Sequence, residues 1–279
     1  MRNSKCHSLI IGGTGQFGIS LKNQLNKKKQ KVIITSRSKK SRIKNKFFEV
    51  VVLDIYNKEK ILKIIKKYKP QNIFYFAGQS SPSISFVKKK ETLRSNYIGC
   101  KNVLECVYEI NKDIKFIYAA SSEMYGKING KISLKSKKLP VNPYGISKLK
   151  GFNLTKLYRE KYNLNTYSAI IFNTESTLRD KSFFIPKVCM AAINAYKYNL
   201  KTKFGNLDIK REWNWCDDQC ELLIKFLQKE PQDFIISNGK SLSAKKMLKF
   251  AFDYFNLDYK KYVIQDQKLL RPIDISIKY

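Results

Sequence analysis

Short runs of apolar and β-branched residues alternate with amphipathic stretches over the first 172 residues of the chain. The runs predict six strands, at residues 8–11, 32–35, 48–53, 72–76, 114–119 and 166–172. The stretches between them predict helices at residues 16–26, 58–68, 85–110 and 143–162. Because strands that alternate with helices are typical of parallel βαβ units, we predict an α/β fold with a Rossmann-like, doubly wound parallel sheet.

The alternation breaks after residue 172. An irregular stretch at 173–182 precedes predicted helices at 183–198, 217–229 and 243–255 and a predicted strand at 234–237. We therefore predict that residues 1–172, with a return contribution from about 210–237, form a nucleotide-binding domain. Residues 173–279 are predicted to form mainly a smaller, mixed α/β substrate lobe.

The chain carries a formal net charge of +33, which raises the question of a nucleic-acid partner. The lysines occur in nearly every segment rather than in one stripe, so we interpret them as solvated surface and predict phosphate-bearing small molecules as partners. The sequence has no apolar run of about 18 residues and no signal-peptide pattern at its start. We predict no membrane insertion and a cytoplasmic location.

The cysteines and the single histidine, His7, suggest no metal site. Cys216 and Cys220 stand four residues apart on a predicted helix and could supply half a site, but a buried or incidental thiol pair is the simpler interpretation. His7 precedes the first strand, so a Ser-His-Asp mechanism lacks a base. The chemistry is predicted to come from Tyr, Lys, Glu and Ser.

A glycine-rich loop joins the first predicted strand to the first predicted helix. Gly12, Gly15 and Gly18 have the spacing that permits a tight turn, a close approach of the pyrophosphate and close helix packing. The helix amino terminus adds partial positive charge. We predict that a dinucleotide contacts the whole loop, including Thr14, Gln16 and Phe17.

The residues after the second strand distinguish the two dinucleotides. NAD sites favour a carboxylate there, whereas this chain has Arg37 and Ser38, which suit a 2′-phosphate. NADP is therefore predicted in preference to NAD. Asp54, at the end of the third strand, is predicted to contact the adenine amino group, and Ile55 and Ala77 are predicted to be further cofactor contacts.

The catalytic candidates follow the fifth strand. Tyr144 and Lys148 lie on one face of a helix, where an ammonium lowers the pKa of a phenol and makes it a usable base. Ser121 and Glu123 follow a predicted strand at its carboxyl end, the edge at which open α/β sheets bind ligands. Ser121 can bond the same substrate oxygen as Tyr144, and Glu123 can act as a second acid or base.

With these motifs in place, the chain resembles the extended short-chain dehydrogenase/reductases, the NAD-dependent epimerase/dehydratase family, and within them the GDP-mannose 4,6-dehydratase family. The resemblance rests on Gly12-Gly13-Thr14-Gly15-Gln16, Gly78-Gln79-Ser80 with Ser85-Phe86, Ser121-Ser122-Glu123-Met124-Tyr125-Gly126, Tyr144 with Lys148, Ile171-Phe172-Asn173-Thr174-Glu175-Ser176, residues 205–213, residues 231–234 and Arg271-Pro272.

The resemblance implies roles for matching residues. Ser121 takes the place of the family's catalytic threonine, while Glu123 is its acid/base, Tyr144 its hydride-step base and Lys148 the partner of that base. Substrate contacts are expected at these positions: Ser80, Ser121, Asn173, Lys187, Arg211 and Arg271. The chain departs from the family pattern at Thr174, where a histidine is usual, and at 177–179, where paired arginines are usual.

The implied activity is the conversion of GDP-mannose to GDP-4-keto-6-deoxymannose by an internal NADP redox cycle, in a homodimer or homotetramer. One alternative is a reductase or epimerase of a related nucleotide sugar, such as GDP-manno-heptose or GDP-4-keto-6-deoxymannose. A second is a dinucleotide sensor or nucleic-acid-associated regulator, which would have no need for the Tyr144 and Lys148 pair.

Overall fold

The computed structural model describes residues 7–38, 47–128 and 130–270. They divide into two compact units. The first contains the described residues of Met1–Gly126, Leu134–Phe172 and Trp215–Ile236, and the second contains those of Lys127–Ser133, Asn173–Asn214 and Ser237–Tyr279.

The described strands are β1 (Ser8–Ile11), β2 (Val32–Ser36), β3 (Phe48–Val52), β4 (Asn72–Tyr75), β5 (Lys115–Ser121), β6 (Thr166–Ile171), β7 (Thr174–Glu175), β8 (Thr202–Phe204), β9 (Lys210–Glu212), β10 (Asn214–Trp215), β11 (Asp233–Ile236), β12 (Ser241–Ser243) and β13 (Val263–Gln265). The described α-helices are α1 (Gln16–Lys27), α2 (Lys58–Tyr68), α3 (Pro82–Val87), α4 (Lys89–Leu93), α5 (Gly99–Ile110), α6 (Pro143–Tyr162), α7 (Phe184–Tyr198), α8 (Cys216–Phe226) and α9 (Ala244–Asp253).

The first unit is built on a seven-stranded sheet in the order β3-β2-β1-β4-β5-β6-β11. Every neighbouring pair is parallel, which confirms the predicted doubly wound sheet. The strand order reverses between β1 and β4, and ligands of such sheets bind outside the carboxyl ends of the strands at this point. The glycine loop and Ala77 follow these two strands.

One hydrophobic cluster packs helices α1 and α8 against the sheet. Leu21 and Leu25 of α1 and Leu223 of α8 are buried against Ile10 and Phe234 of the sheet. Complete burial of one such side chain contributes about 1.5–3 kcal/mol. The helix that begins at the glycine loop is thereby fixed to the strand that precedes it.

The single helix predicted over residues 85–110 was wrong. The structure has α3, then α4, a π-helical turn at Arg94–Ile98, and α5. Two tyrosine hydroxyls from the sheet donate to successive carbonyls of this turn: Tyr75 to Ser95 at 2.6 Å and Tyr118 to Asn96 at 3.1 Å. The side chains thus satisfy carbonyls that a regular α-helix would pair within its own backbone.

The second unit contains α7 and α9 with two short ladders. Strands β8 and β13 pair in parallel, and β9 and β12 pair antiparallel. Val188, Ala192, Leu248 and Phe252 form the centre of its core. Strand β7 lies within the stretch that was predicted to be irregular. In the part of the chain that the structure describes, no helix has the length and apolarity needed to cross a membrane.

Candidate active site

The glycine loop has the backbone that a dinucleotide requires. Gly12 has φ of +86°, and a Cβ there would lie 2.6 Å from the Ala77 nitrogen. A Cβ on Gly18 would overlap Gly13, so helix α1 packs directly on the loop. At Gly15, by contrast, a Cβ would meet only the Gly12 oxygen, at 3.6 Å. The space beside Gly15 and the start of α1 therefore suits a pyrophosphate.

The first turn of α1 has no acidic residue, and its N-cap residue is Gly15, which has no side chain to cap the helix. Both features leave the positive end of the helix dipole suited to an anion. Thr14 is exposed beside Gly15, while Gln16 and Phe17 are half-buried at the start of the helix. The Phe17 ring stacks on Phe76 at a centroid distance of 5.3 Å, which anchors the loop to the end of β4.

The ends of β2 and β3 carry the residues predicted to distinguish the two cofactors. Arg37 and Ser38 are exposed directly after β2, and the Ser38 N–H donates to the Ser36 hydroxyl at 3.1 Å. Asp54 is exposed after β3, where its carboxylate accepts from the Tyr56 N–H at 3.0 Å. The Ile55 carbonyl accepts from the Asn102 amide at 3.0 Å. Basic and hydroxyl groups thus follow β2, and the carboxylate follows β3.

Ser121 and Glu123 are buried at the carboxyl end of β5. The strand extends two residues beyond its predicted end, so Ser121 is its last residue. The Ser121 hydroxyl accepts from the Glu123 N–H at 3.2 Å. The Asn142 amide donates to Glu123 Oε2 at 2.7 Å, and its Oδ1 accepts from the Gly145 N–H at 2.7 Å. Asn142 therefore caps α6 and fixes the Glu123 carboxylate at the same time.

Tyr144 and Lys148 lie on the first two turns of α6, and both are buried. The Lys148 ammonium donates to the Ala119 carbonyl at 2.8 Å and lies 5.7 Å from the centre of the Tyr144 ring. Burial lowers the pKa of Lys148 to about 8. The structure thus brings all four predicted catalytic residues to one edge of the first unit, next to the end of β5.

The π-turn contributes a buried polar side chain, Asn96, next to α6. The Asn96 amide donates to the Gln79 carbonyl at 3.0 Å and to the Ser147 hydroxyl at 3.1 Å, and Ser147 in turn donates to the Tyr144 carbonyl at 2.7 Å. Ser80, a predicted substrate contact, is exposed one residue after Gln79. Helix α6 and the loop after β4 are therefore joined through one asparagine, Asn96.

Three further predicted substrate contacts, Asn173, Lys187 and Arg211, belong to the second unit. The Asn173 carbonyl accepts two bonds from Asn214, at 3.0 Å from its backbone and at 3.2 Å from its side chain. Lys187 Nζ lies 4.8 Å from the centre of the Phe204 ring, and burial lowers the pKa of Lys187. Arg211 is buried on β9, where its Nη1 donates to the Lys210 carbonyl at 3.1 Å. Arg271 lies outside the described residues.

A buried carboxyl, Glu175, follows Asn173 in the second unit. Burial raises its pKa to about 7, although the Arg179 guanidinium opposes this effect. Arg179 Nε lies 3.9 Å from Glu175 Oε2, and that oxygen accepts no hydrogen bond from the described residues. The guanidinium itself lies 3.6 Å from the centre of the Phe183 ring. The pair is an ion pair without a close hydrogen bond.

The roles of Asn142 and Asn96 were missed by the sequence analysis. Asn142 precedes a proline in the first turn of α6, which is a signal for an N-cap but not for a bond to Glu123. Asn96 is a polar residue on the buried face of the predicted helix 85–110, next to Cys100 and Val103. A polar residue on an apolar helix face was the available signal.

The cysteines of α8 lie in the core. Cys216 and Cys220 are buried in the hydrophobic cluster of the first unit, and their mutual hydrogen bond, together with burial, raises the pKa of Cys216. Within residues 7–38, 47–128 and 130–270, no group of three or more His, Cys, Asp and Glu side chains could hold a metal ion.

Solved structures with the same fold belong to nucleotide-sugar enzymes. A UDP-glucose 4-epimerase from Thermus thermophilus, in complex with NAD, superposes with a TM-score of 0.84 at 17% identity and covers 97% of this chain and 88% of that one. A dTDP-glucose 4,6-dehydratase from Bacillus anthracis, also in complex with NAD, has a TM-score of 0.81 at 20% identity, with 94% and 85% covered. At these identities the likeness establishes the fold.

Sequence relatives are more specific. The human GDP-mannose 4,6 dehydratase is 32% identical over 205 residues, which are 71% of this chain and 55% of that protein. GDP-mannose 4,6 dehydratase 1 of Arabidopsis thaliana is 30% identical over 230 residues, 80% of this chain and 63% of that protein. This chain therefore spans less than two thirds of the length of either curated relative.

The family model for GDP-mannose 4,6 dehydratase matches residues 9–276, nearly the whole chain. The match includes the glycine loop, the Ser121 and Glu123 turn, and the Tyr144 and Lys148 helix, which the structure assembles in its first unit. The chain belongs to the GDP-mannose 4,6-dehydratase family.

Proposed function

We propose that the chain catalyses the 4,6-dehydration of a GDP-sugar, converting GDP-mannose to GDP-4-keto-6-deoxymannose with NADP as a bound cofactor. The observation that carries the proposal is the arrangement at the end of β5. The Asn142 amide donates to Glu123 Oε2 at 2.7 Å. Asn142 is also the N-cap residue of α6, the helix that carries Tyr144 and Lys148. A carboxylate beside a tyrosine and a lysine provides a second acid/base, which an elimination needs.

The glycine loop and the ends of β2 and β3 are the residues that we assign to the cofactor. The space beside Gly15 and the uncapped start of α1 suit the pyrophosphate, and Arg37 with Ser38 suits a 2′-phosphate. Bound NADP would supply reversible hydride transfer with the sugar, so the net oxidation state of the substrate would not change.

Tyr144 is the base of the first step. Its phenol oxygen takes the proton of the 4-hydroxyl while Ser121 bonds the same substrate oxygen. The Lys148 ammonium, 5.7 Å from the centre of the Tyr144 ring, favours the phenolate electrostatically. Since burial lowers the pKa of Lys148 to about 8, this support weakens as the pH rises above that value.

Glu123 acts in the elimination. Once C4 is a ketone, the proton on C5 becomes acidic, and the Glu123 carboxylate removes it. The same carboxyl group then donates the proton to the 6-hydroxyl, which leaves as water. As C6 is reduced, C5 takes up a proton from the solvent and Tyr144 releases the proton that it took, so the net change is the loss of one water. Asn142 occupies Oε2, so we assign the proton transfer to Oε1. The substrate contacts expected at Ser80, Asn173, Lys187, Arg211 and Arg271, the cytoplasmic location and the homodimeric or homotetrameric state stay predictions.

The test is incubation of the purified chain with GDP-mannose and NADP in heavy water. We expect a product that has lost one water and carries one deuterium at C5. Mass spectrometry reads the loss of water, and NMR reads the position of the deuterium. Glu123→Gln should abolish both changes. Unchanged GDP-mannose, with cofactor bound, would contradict the proposed reaction. Deuterium at a carbon without loss of water would favour an epimerase.

The cofactor preference has its own test. Because a ligand that binds the native state stabilises it by RT ln(1 + [L]/Kd), NADP should raise the Tm more than NAD at equal concentration. Arg37→Ala should remove the difference and leave the response to NAD intact. An equal response of the unmodified chain to both dinucleotides would overturn the preference for NADP.

A further inference from the structure

Two tyrosines in the interior of the sheet form a stacked pair, and one of them lies next to Lys148. Tyr75 and Tyr118 are fully buried, lie opposite each other in the β4/β5 register, and stack with a centroid distance of 6.2 Å. Their hydroxyls donate to the successive carbonyls of Ser95 and Asn96 in the π-turn. Each ring is therefore fixed at its strand and at its hydroxyl.

The two rings differ in what lies over them. Lys148 Nζ lies 5.2 Å from the centre of the Tyr118 ring, and a cation within about 6 Å of a ring centre is attracted by its quadrupole. The ring-and-cation contacts of Lys148 in the described structure are with Tyr118 and Tyr144. The buried ammonium thus lies near two tyrosine rings, of which Tyr118 is outside the catalytic set.

The Tyr118 side chain is tightly packed against α6. Its hydroxyl occupies the space that a Cβ on Gly151 would need, so the absence of a side chain on α6 at this position admits the tyrosine. Burial raises the pKa of Tyr118 well above its usual value, so it remains a neutral phenol. The ring is held in place without adding a charge to the site.

The groups that face Lys148 are few. Tyr118 approaches from β5, Tyr144 from its own helix, and Cys100 from α5. Burial raises the pKa of Cys100 to about 12, so the thiol remains neutral. In the part of the chain that the structure describes, burial lowers the pKa of Lys148, Cys100 opposes this effect, and no carboxylate is among the causes. A desolvated ammonium with neutral neighbours depends on dipoles and ring quadrupoles for its stabilisation.

We propose that Tyr118 is a positioning residue for Lys148: its ring, fixed by the π-turn, stabilises the protonated lysine beside Tyr144. Removal of the ring's attraction favours the neutral amine, which no longer supports the Tyr144 phenolate. The effect on turnover rests on the proposed dehydratase function, whereas the effect on Lys148 does not.

The experiment titrates Lys148 directly, without turnover. Protein labelled with ¹³C at lysine Cε is followed by NMR between pH 6 and 11, and Lys148→Met identifies the resonance. Two replacements of Tyr118 are compared, Tyr118→Phe and pentafluorophenylalanine at the same position. The two rings have nearly the same shape, but fluorination reverses the ring quadrupole. The matched control is the same pair of replacements at Tyr75, because the ring contacts of Lys148 in the described structure are with Tyr118 and Tyr144.

With the fluorinated ring at position 118, we expect the Lys148 midpoint to fall by about one pH unit relative to Tyr118→Phe. The same comparison at position 75 should give no shift. An unchanged or raised midpoint at 118, or an equal fall at 75, would overturn the proposal. If the midpoint falls and the chain nevertheless leaves GDP-mannose unchanged, the proposed reaction fails and the role of Tyr118 stands.

Discussion

A buried carboxyl of the first unit, Glu123, and one of the second, Glu175, are held differently. In the first, Glu123 accepts a bond from Asn142, and Lys148 donates to the Ala119 carbonyl. In the second, Glu175 is equally buried, but its Oε2 accepts no hydrogen bond from the described residues, and its ion-pair partner Arg179 is 3.9 Å away. Fixed polar groups are what preorganised acid–base chemistry requires. Burial instead raises the pKa of Glu175 to about 7, so this carboxyl changes its charge near neutral pH.

The largest expected effect is at Tyr144. Tyr144→Phe removes the phenol oxygen that takes the proton, and we expect kcat/KM for GDP-mannose to fall by about 10³-fold. Tyr125→Phe is the matched control, because the buried Tyr125 hydroxyl has no hydrogen-bond partner among the described residues and its loss leaves no partner unpaired. Full activity of Tyr144→Phe, or an equal loss in the control, would show that the first unit is not catalytic in this way.

An intermediate effect is expected at Asn142. Asn142→Ala removes the cap of α6 and leaves Glu123 without this bond, so the free energy of unfolding should fall by about 1–2 kcal/mol and turnover should fall with it. Asn57→Ala supplies the contrast. Asn57 caps α2 through its bond to Lys60 N at 2.8 Å, and its replacement should lower stability by about 1 kcal/mol without loss of turnover.

Urea unfolding and steady-state kinetics on the same preparations measure both quantities. The prediction fails if Asn142→Ala loses stability as Asn57→Ala does and keeps full turnover. In that case the bond between Asn142 and Glu123 would be structural, and the contrast between the two units would be weaker.

The expected effect at Glu175 is on stability and its dependence on pH, not on the chemical step. Its pKa is raised from 4.5 to about 7 in the folded chain, so the folded state holds a proton that the unfolded state has lost. Stability contributed by this group is therefore present below about pH 4.5 and is lost as the pH rises to 7. Glu175→Gln lacks this loss, and relative to the unmodified chain it should gain about 2–3 kcal/mol between pH 5 and pH 8.

Urea unfolding at the two pH values checks this expectation, with Glu160→Gln, an exposed position on α6, as the control. A stability difference between Glu175→Gln and the unmodified chain that is the same at pH 5 and pH 8 would contradict it. Glu175 would then be as firmly stabilised in its charged form as Glu123.

Local patterns made most of the first unit predictable. Gly12 and Gly18 follow a strand with fixed spacing, and the distance between Tyr144 and Lys148 is one helical turn, so both could be interpreted without knowledge of distant residues. The seventh strand of the sheet, β11, was also predicted, because its apolar run stands out between polar turns. These features depend on period and turn chemistry alone.

Features that depend on distant partners were not predictable. The π-turn has its carbonyls satisfied by Tyr75 and Tyr118, which lie about twenty residues away on either side, and no helical period encodes such bonds. In the second unit, strands of two or three residues such as β7 and β9 are too short to show alternation. Tertiary contacts decided both outcomes.

The π-turn also constrains how this chain can change in length. A π-turn is equivalent to an α-helix with one inserted residue, and each α-helical residue advances the helix by about 100°. Loss of one residue from Arg94–Ile98 would therefore return this stretch to a regular α-helix and keep α5 in register, at the cost of the bonds from Tyr75 and Tyr118. A one-residue deletion within α5 would instead rotate every residue beyond it by about 100° relative to the core. In a deletion scan read by yield of folded protein, we expect a higher yield for a deletion in the π-turn than for one in α5.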